Sequence, residues 1–433
     1  MKANQQKFIV VVQGLKLSLL GTLDTIKNEY PKYSNVKLLF ITSDESQLTQ
    51  LNSNSKIEVR LTDYSNKSLA KIFSEEMRSQ IAGVVCRGDK YVQFLRILLP
   101  YMPNNVLVAS DKSLEITTNK RLMRQAFKAT YPEITPEYKK VNESDLYERK
   151  EYWQEFSFPV IVKPASLASS ILIQKCETVA ELASTLKQSF NIIQEIYNKE
   201  GRTESPEIIV EEFLIGDFYS VDSYVLKKGE TFHLPPVGYL PAEKIGINDF
   251  FLYKRWLPTD LSEKQIKDCF TAADKALKAT ELEYSSAHIE MILVDSEWKI
   301  IEIGPRIGRF RNIMYREAHG IDHGLNDLLV RLGIEPQVKI LKNRYVSAYS
   351  IYPHYEGVLR EITNIQSIEN RLNINYQQQN GFVDDIVKQA KDGGHSLYET
   401  IFSNDTAKEH GSAVRWFEKS VKAVVIEGKV SKN

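Results

Sequence analysis

Two glutamates interrupt neighbouring apolar strands, and that pair constrains the chain more than any other feature. Glu290 lies in the run Ala287-His288-Ile289-Glu290-Met291-Ile292-Leu293, and Glu302 in Ile300-Ile301-Glu302-Ile303-Gly304-Pro305-Arg306. Each sits where β alternation calls for an apolar residue. An ionised carboxylate in a half-buried strand is costly unless a metal, a base or an arginine answers it. Only the polar stretch Asp295-Ser296-Glu297 separates the two runs, which reads as a hairpin. A two-residue loop would send the side chains to opposite faces. A three-residue loop or a bulge brings Glu290 opposite Glu302 on one face, with Cβ atoms roughly 5 Å apart. Such a pair is a hard-oxygen site suited to Mg²⁺ bridging a nucleotide triphosphate, with Arg306 nearby to hold an anion.

Length and charge narrow the class. A chain of 433 residues is ample for several domains, and 56 basic against 56 acidic residues leave no net charge. No polyanion-binding surface is expected, so nucleic acid is not a partner. Cys86, Cys176 and Cys269 are far apart, odd in number and without metal spacing, as buried thiols in a reducing compartment would be. The run Phe8–Val12 is too short and too soon interrupted for a signal peptide. No apolar run approaches the ~18 residues that span a bilayer. The expectation is a cytoplasmic protein with no membrane partner.

Short apolar runs at Phe8–Val12, Lys37–Ile41, Gly83–Cys86 and Val106–Ala109 alternate with helical patterns at Ser68–Ile81 and Tyr91–Leu99. That alternation predicts a parallel α/β layer over about the first 110 residues. The first strand is followed by a single glycine, Gly14, so no dinucleotide-binding fingerprint is present. Further on, Ile266, Cys269, Phe270, Ala273 and Leu277 form an amphipathic stripe behind a Ser262 cap, predicting a helix over Ser262–Leu277 with Cys269 in the core. The last hundred or so residues read as strands at Tyr345–Tyr352, Gly357–Ile362 and Ala423–Ile426, with turns at Gly393-Gly394 and Asn404-Asp405.

Three further segments carry chemistry-bearing residues. Lys120 opens a helix whose apolar face is Leu122, Met123, Ala126 and Phe127, and alone it reads as a surface lysine. Lys163 ends the apolar strand Val160-Ile161-Val162 and is pinned by Pro164; it reads equally as an anion-binding lysine or a snorkelling edge residue. The Ala and Ser residues of the loop that follows, Ala165–Ser170, would let backbone N–H groups approach a phosphate. The strand Ile208-Ile209-Val210 ends in Glu211-Glu212, turns at Gly216 and returns as Tyr219–Leu226, which alone is an ordinary hairpin. No Ser-His-Asp or Cys-His arrangement is evident.

Taken in order, these segments and the two-glutamate hairpin resemble the ATP-grasp superfamily, in particular its carboxylate–amine ligases of the amino-acid (dipeptide) ligase and carnosine synthase-like kind. The resemblance runs from about Asn119 to Leu332. Its finer part rests on the H-x-E strand, the E-x-x-P-R segment, Ala318-His319-Gly320-Ile321-Asp322, and a tail with Gly357-Val358-Leu359 and Gly381-Phe382-Val383. It implies a mixed α/β and α+β chain: an N-terminal parallel α/β domain over 1–115, an ATP-grasp fold of two α+β subdomains clasping ATP over 116–335, and a C-terminal lobe over 336–433. It also implies an ADP-forming ligase that uses ATP with Mg²⁺ or Mn²⁺. The ligase would activate a small-molecule carboxylate as an acyl phosphate and join it to an amine, the substrates being amino acids or peptides. A homodimer fits the family. A thiol or bicarbonate acceptor, or a nucleotide-binding pseudoenzyme, is the alternative.

Residue by residue, the resemblance puts Lys120 and Lys163 on the phosphates and Ser169 in the loop that covers them. Glu211, Glu212, Phe213 and Leu214 would form the hinge at the adenine edge, and Asp217 would stand near the ribose. Glu290 and Glu302 would hold the metal, and Arg306 the acyl phosphate or its tetrahedral successor. His288, on the face of Glu290, is a catalytic candidate that would orient substrate or act as a base, and its more ordinary reading is a structural histidine beside a metal carboxylate. Three departures stand out: Gly304 where an asparagine is common, no glycine in Ala165–Ser170, and Phe218 where the ribose acid is expected. Arg309 and Arg311 replace small residues, and with Arg306 they predict contact with an anionic group of the substrate.

Overall fold

The computed structural model describes residues 6–427 apart from 16–17, 52–53, 149–155, 168–170, 203 and 228. The N-terminal layer is a parallel sheet in the order Ile57–Leu61, Val36–Thr42, Lys7–Val12, Ile81–Val85. Three of these strands are the continuous apolar runs expected of a sheet covered on both faces. The edge strand Ile57-Glu58-Val59-Arg60-Leu61 alternates instead, and was not among the expected strands. Val106–Ala109 is the reverse case: Val106 and Ala109 are buried, yet the segment pairs with no strand. Burial explains its hydrophobicity as well as pairing would. The helix expected over Ser68–Ile81 is two helices, Asn66–Ile72 and Glu75–Gln80, because Ser74 caps a new N-terminus by accepting from the Met77 N–H. The other expected helix is Val92–Leu98, flanked by 3₁₀ turns.

A long-range element completes this layer. The helix His323–Arg331 packs Leu325, Leu328 and Leu329 beside Leu19, Leu23 and Ile26 of the helix Ser18–Glu29 in the core under the parallel sheet. The opposite face shares one core with the helix Glu263–Thr280 and the strands of the two glutamates. That helix carries the Ser262–Gln265 capping box, and Cys269 is fully buried on it, as its pattern predicts.

Two antiparallel sheets follow. The smaller runs in the order Tyr138–Val141, Ile208–Glu212, Val160–Pro164, Gln174–Cys176, covered by the helix Val179–Lys199 through Leu182, Leu186, Ile193 and Tyr197. The larger has nine strands. Eight form the path Glu297–Gly304, Ser285–Val294, Asp217–Val225, Val237–Pro241, Leu252–Leu257, Tyr345–Ile351, Tyr398–Asn404, Ile374–Gln379, and the ninth, Thr231–His233, pairs off it with Asp217–Val225. The pairing of Leu252–Leu257 with Tyr345–Ile351 carries this sheet from the central region into the last hundred residues without a break. Gly357–Ile362 and Ala423–Glu427 lie in a separate three-stranded sheet with Ile386–Val387. Among the described residues no helix is long and apolar enough to cross a membrane.

Candidate active site

One cavity of about 330 Å³ is lined by both antiparallel sheets, by Asp89 of the N-terminal layer and by Tyr352 and Ala390 of the C-terminal region. The two glutamates face it. Their hairpin turns through two residues, Asp295 and Ser296, both left-handed at φ 47° and 73°, and Val294 pairs with Glu297. That turn alone would set Glu290 opposite Ile301. A bulge restores parity: Met291 pairs with Ile300, but Glu290 pairs with Glu302. The bulged Ile301 offers its carbonyl to Arg124, whose Nη2 donates at 2.6 Å. Both carboxylates open to the cavity, at 34% and 29% side-chain exposure, and both are held loosely. His288 Nε2 stands 3.5 Å from Glu290, and Lys120 Nζ 3.3 Å from Glu302.

Beneath them lies a buried hub. Asp222 pairs across the strands with His288 and accepts from its Nδ1 at 3.1 Å, from the Gly308 N–H at 3.1 Å, from His323 Nε2 at 3.2 Å and from the Tyr315 hydroxyl at 3.4 Å. Burial would raise its pKa, but His288 and His323 hold it well below the usual carboxylate range. Gly308 makes the close approach possible, since a Cβ there would lie 2.5 Å from His288 Nδ1. Burial would also lower the His288 pKa; Tyr239, Asp222 and Glu290 outweigh burial and raise it to about 10. His288 stands between Asp222, Glu290 and the Tyr239 hydroxyl at 3.1 Å, a setting that favours its charged form.

The cations occupy distinct stations. Lys163 Nζ donates to Glu211 at 2.8 Å, and Arg124 Nε donates to the same carboxylate at 2.8 Å. Burial would raise the Glu211 pKa, yet Arg124 and Lys163 bring it down to about 2. Burial pulls Lys163 below its ordinary value against the attraction of Glu211. Lys120 spans the site: its Nζ donates to the Leu167 carbonyl at 2.8 Å and also reaches Glu302. Arg306 Nε contacts both Asp89 oxygens, at 2.9 and 2.8 Å. Gly304 leaves that pair its space, because a Cβ there would stand 2.9 Å from Asp89 Oδ1.

Of the expected site residues, Lys120, Lys163, Glu211, Glu212, Phe213, Leu214, His288, Glu290, Glu302, Arg306 and Arg309 line this one cavity. Ser169 lies outside the described residues. Two expected residues lie outside the cavity lining. Asp217 opens its strand with an exposed side chain and does not line the cavity, whereas Phe218 and Tyr219 do. Arg311 is fully buried in the hub and outside the cavity lining, donating to Ser220 at 3.1 Å and Tyr239 at 2.6 Å with Asp222 at 3.2 Å. As the first residue of the helix Arg311–His319 it turns back onto the sheet. A Ser223–His233–Asp274 chain also exists, at 2.8 and 3.1 Å, but Ser223 is sealed from solvent and does not line the cavity.

Asp89, Arg124, Asp222 and Arg255 were not expected. Three had a signal: Asp89 follows the C-terminal end of a parallel strand, Arg124 stands four residues after Lys120 on one helix face, and Asp222 is a lone charge in the run Tyr219–Leu226; Arg255, beside Lys254 in Leu252–Leu257, had none.

Comparison with known proteins agrees with this geometry. The family model described as an ATP-grasp domain matches residues 156–312. A D-alanine–D-alanine ligase of Geobacillus thermodenitrificans is 29% identical over 196 residues, 42% of this chain and 48% of the relative. One from Staphylococcus carnosus is 27% identical over 267 residues, 57% of this chain and 67% of the relative. The chain thus spans about half the length of the first relative. The L-amino acid ligase structure from Bacillus licheniformis superposes over 98% of this chain and 100% of its own, with TM-score 0.76 at 16% identity. The match to the ATP-grasp domain model thus falls on residues 156–312, which hold both glutamates, and the fold over 98% of the chain is that of the L-amino acid ligase structure.

Proposed function

We propose that the protein is an ADP-forming carboxylate–amine ligase acting on amino acids or peptides. ATP phosphorylates a substrate carboxylate, and an amine then displaces phosphate from the acyl phosphate to give an amide. The observation that carries this reading is the register that sets Glu290 against Glu302 in a cavity that also holds Lys120, Lys163 and Arg306. The cavity lining contains no serine, threonine or cysteine among the described residues. Chemistry there is a matter of positioning and charge neutralisation, as phosphoryl transfer requires. The names of the relatives, D-alanine–D-alanine ligase and L-amino acid ligase, support an amine acceptor.

The donor set fits a Mg²⁺ or Mn²⁺ ion that arrives with the nucleotide. Two cavity-facing carboxylates leave coordination positions for phosphate oxygens and water. No group of three or more His, Cys, Asp or Glu among the described residues makes a complete cage of its own. When bound, the ion would neutralise charge on the phosphates during transfer. The chain supplies the rest. His288 and the hub fix Glu290, Lys120 ties Glu302 to the Leu167 carbonyl, and Glu212, Phe213 and Leu214 form the nucleotide-edge wall beside Lys163. Arg306, oriented by Asp89, presents a guanidinium to the activated carboxylate.

The test is phosphate release from Mg-ATP against panels of amino acids and dipeptides. Release that requires both a carboxylate and an amine is the expected result. Release driven by bicarbonate or a thiol in place of the amine would move the reading to another acceptor. Nucleotide binding with no release under any acceptor would make the protein a nucleotide-binding pseudoenzyme.

A further inference from the structure

We infer that Arg255 anchors a second anionic group, a carboxylate distinct from the one being activated, so that the cavity selects a substrate bearing it. This deepens the ligase reading above and rests on it.

Arg255 projects from the strand Leu252–Leu257, lines the cavity and is only 9% exposed. Its guanidinium sits 6.0 Å from the Tyr239 ring and 5.3 Å from the Phe310 ring. Nη1 donates to the Leu252 carbonyl at 3.0 Å and to Ser350 Oγ at 3.1 Å, which uses both its protons. The N–H groups of Nε and Nη2 meet no acceptor among the described residues, and no carboxylate pairs with this arginine. The other buried arginines differ. Arg124, Arg311 and Arg331 each have a carboxylate oxygen at 2.8, 3.2 and 3.0 Å.

A buried guanidinium without a counter-ion is unfavourable, and its unused Nε–Nη2 edge is the fork that takes a carboxylate in two parallel hydrogen bonds. Burial, with Arg311 and Arg309 nearby, brings the Arg255 pKa down to about 10, as expected for a cation whose partner is missing. Arg309, half-exposed on the same wall and paired with Glu399, adds to the positive field there. The placement separates this group from the phosphate end. Three strand steps lie between the strand of Glu290 and that of Arg255, and Arg255 contributes to the field that lowers the Glu290 pKa without pairing with it. Arg306 is the guanidinium whose own field is shared with Glu290 and Glu302, so an anion on the open edge of Arg255 is assigned to a different group from the one activated there. Two sources share this chemistry: the side chain of a dicarboxylic acyl donor, or the α-carboxylate of an amino-acid acceptor.

Calorimetry on the full-length protein saturated with Mg²⁺ and a non-hydrolysable ATP analogue tests this without turnover. If the donor supplies the group, aspartate or glutamate binds at least ten-fold tighter than asparagine or glutamine. If the acceptor supplies it, alanine binds at least ten-fold tighter than alaninamide. In either arm Arg255→Gln abolishes the preference and leaves affinity for the nucleotide analogue unchanged. Arg255→Lys, which keeps the charge and loses the fork, reduces the preference at least three-fold and serves in its place if the Gln variant fails to fold. No preference in the wild-type protein, a preference that survives both substitutions, or a loss of nucleotide affinity instead would overturn the assignment. A carboxylate preference intact in a protein that releases no phosphate would sink the ligase reading and leave the Arg255 site standing.

Discussion

Two acidic regions face the same cavity and are built on opposite terms. Glu211 has 1% side-chain exposure and is saturated by two cations, each at 2.8 Å. Glu290 and Glu302 are 34% and 29% exposed, and their nearest cations stand at 3.5 and 3.3 Å. The first carboxylate is spent on holding Lys163 and Arg124 in place. The other two keep oxygen lone pairs free for a ligand. Lining a cavity is therefore a weak sign of a ligand contact, and the state of a residue's hydrogen bonds decides whether it is available. Among the arginines, Arg311 has a carboxylate partner in Asp222 and Arg255 has none among the described residues.

The largest effect that sharpens this contrast is on stability. Glu211→Ala leaves Arg124 and Lys163 buried without their counter-charge, and should cost about 3–5 kcal/mol in urea unfolding. A loss below ~1 kcal/mol would show that the pair is not structural. The same residue sets an acid limit. Its folded-state pKa is about 2 against an ordinary 4.5, so its contribution is complete above 4.5 and is lost as the pH falls toward 2. The wild-type unfolding midpoint should drop through that window, and the variant should drop less.

Next in size is an effect on turnover. Glu290→Gln and Glu302→Gln keep shape and hydrogen bonding, and each should lower kcat on the order of 10²-fold, about 2.7 kcal/mol in the barrier. Their melting temperatures should stay near wild type, because neither carboxylate is saturated. Acting through one ion, the two should combine to far less than the product of the single effects. If either variant lost stability and kept its Mg²⁺ dependence, that glutamate would belong with Glu211.

The smallest effect concerns the glycine between these regions. Gly304→Ala puts a Cβ 2.9 Å from Asp89 Oδ1, which must shift away from Arg306. A stability loss of about 1 kcal/mol, with weaker binding of the carboxylate substrate, is expected from that displacement. An unchanged KM for the carboxylate would remove Asp89 as the group that orients Arg306.

Much of this architecture was legible from local pattern. The apolar runs at Phe8–Val12 and Lys37–Ile41, the Ser262 cap and the glutamates of the hairpin are consequences of periodicity and of polar residues where the pattern forbids them. What misled was equally local. Val106–Ala109 is apolar because it is buried, and burial does not require strand pairing. Ile57–Leu61 looks polar because an edge strand has one wet face.

By itself the sequence determined which residue types stand on which face, and hence the parallel layer, the hairpin and the requirement that an odd register join Glu290 to Glu302. Only the tertiary structure decided that a bulge at Ile301 meets that requirement, that Arg311 turns inward while Arg255 keeps an open edge, and that Asp89 takes the space beside Gly304. The reason is one of range. Periodicity is set by bonds along the chain, whereas an ion pair joins whichever opposite charges packing brings together, and here Asp89 and Arg306 are separated by 217 positions.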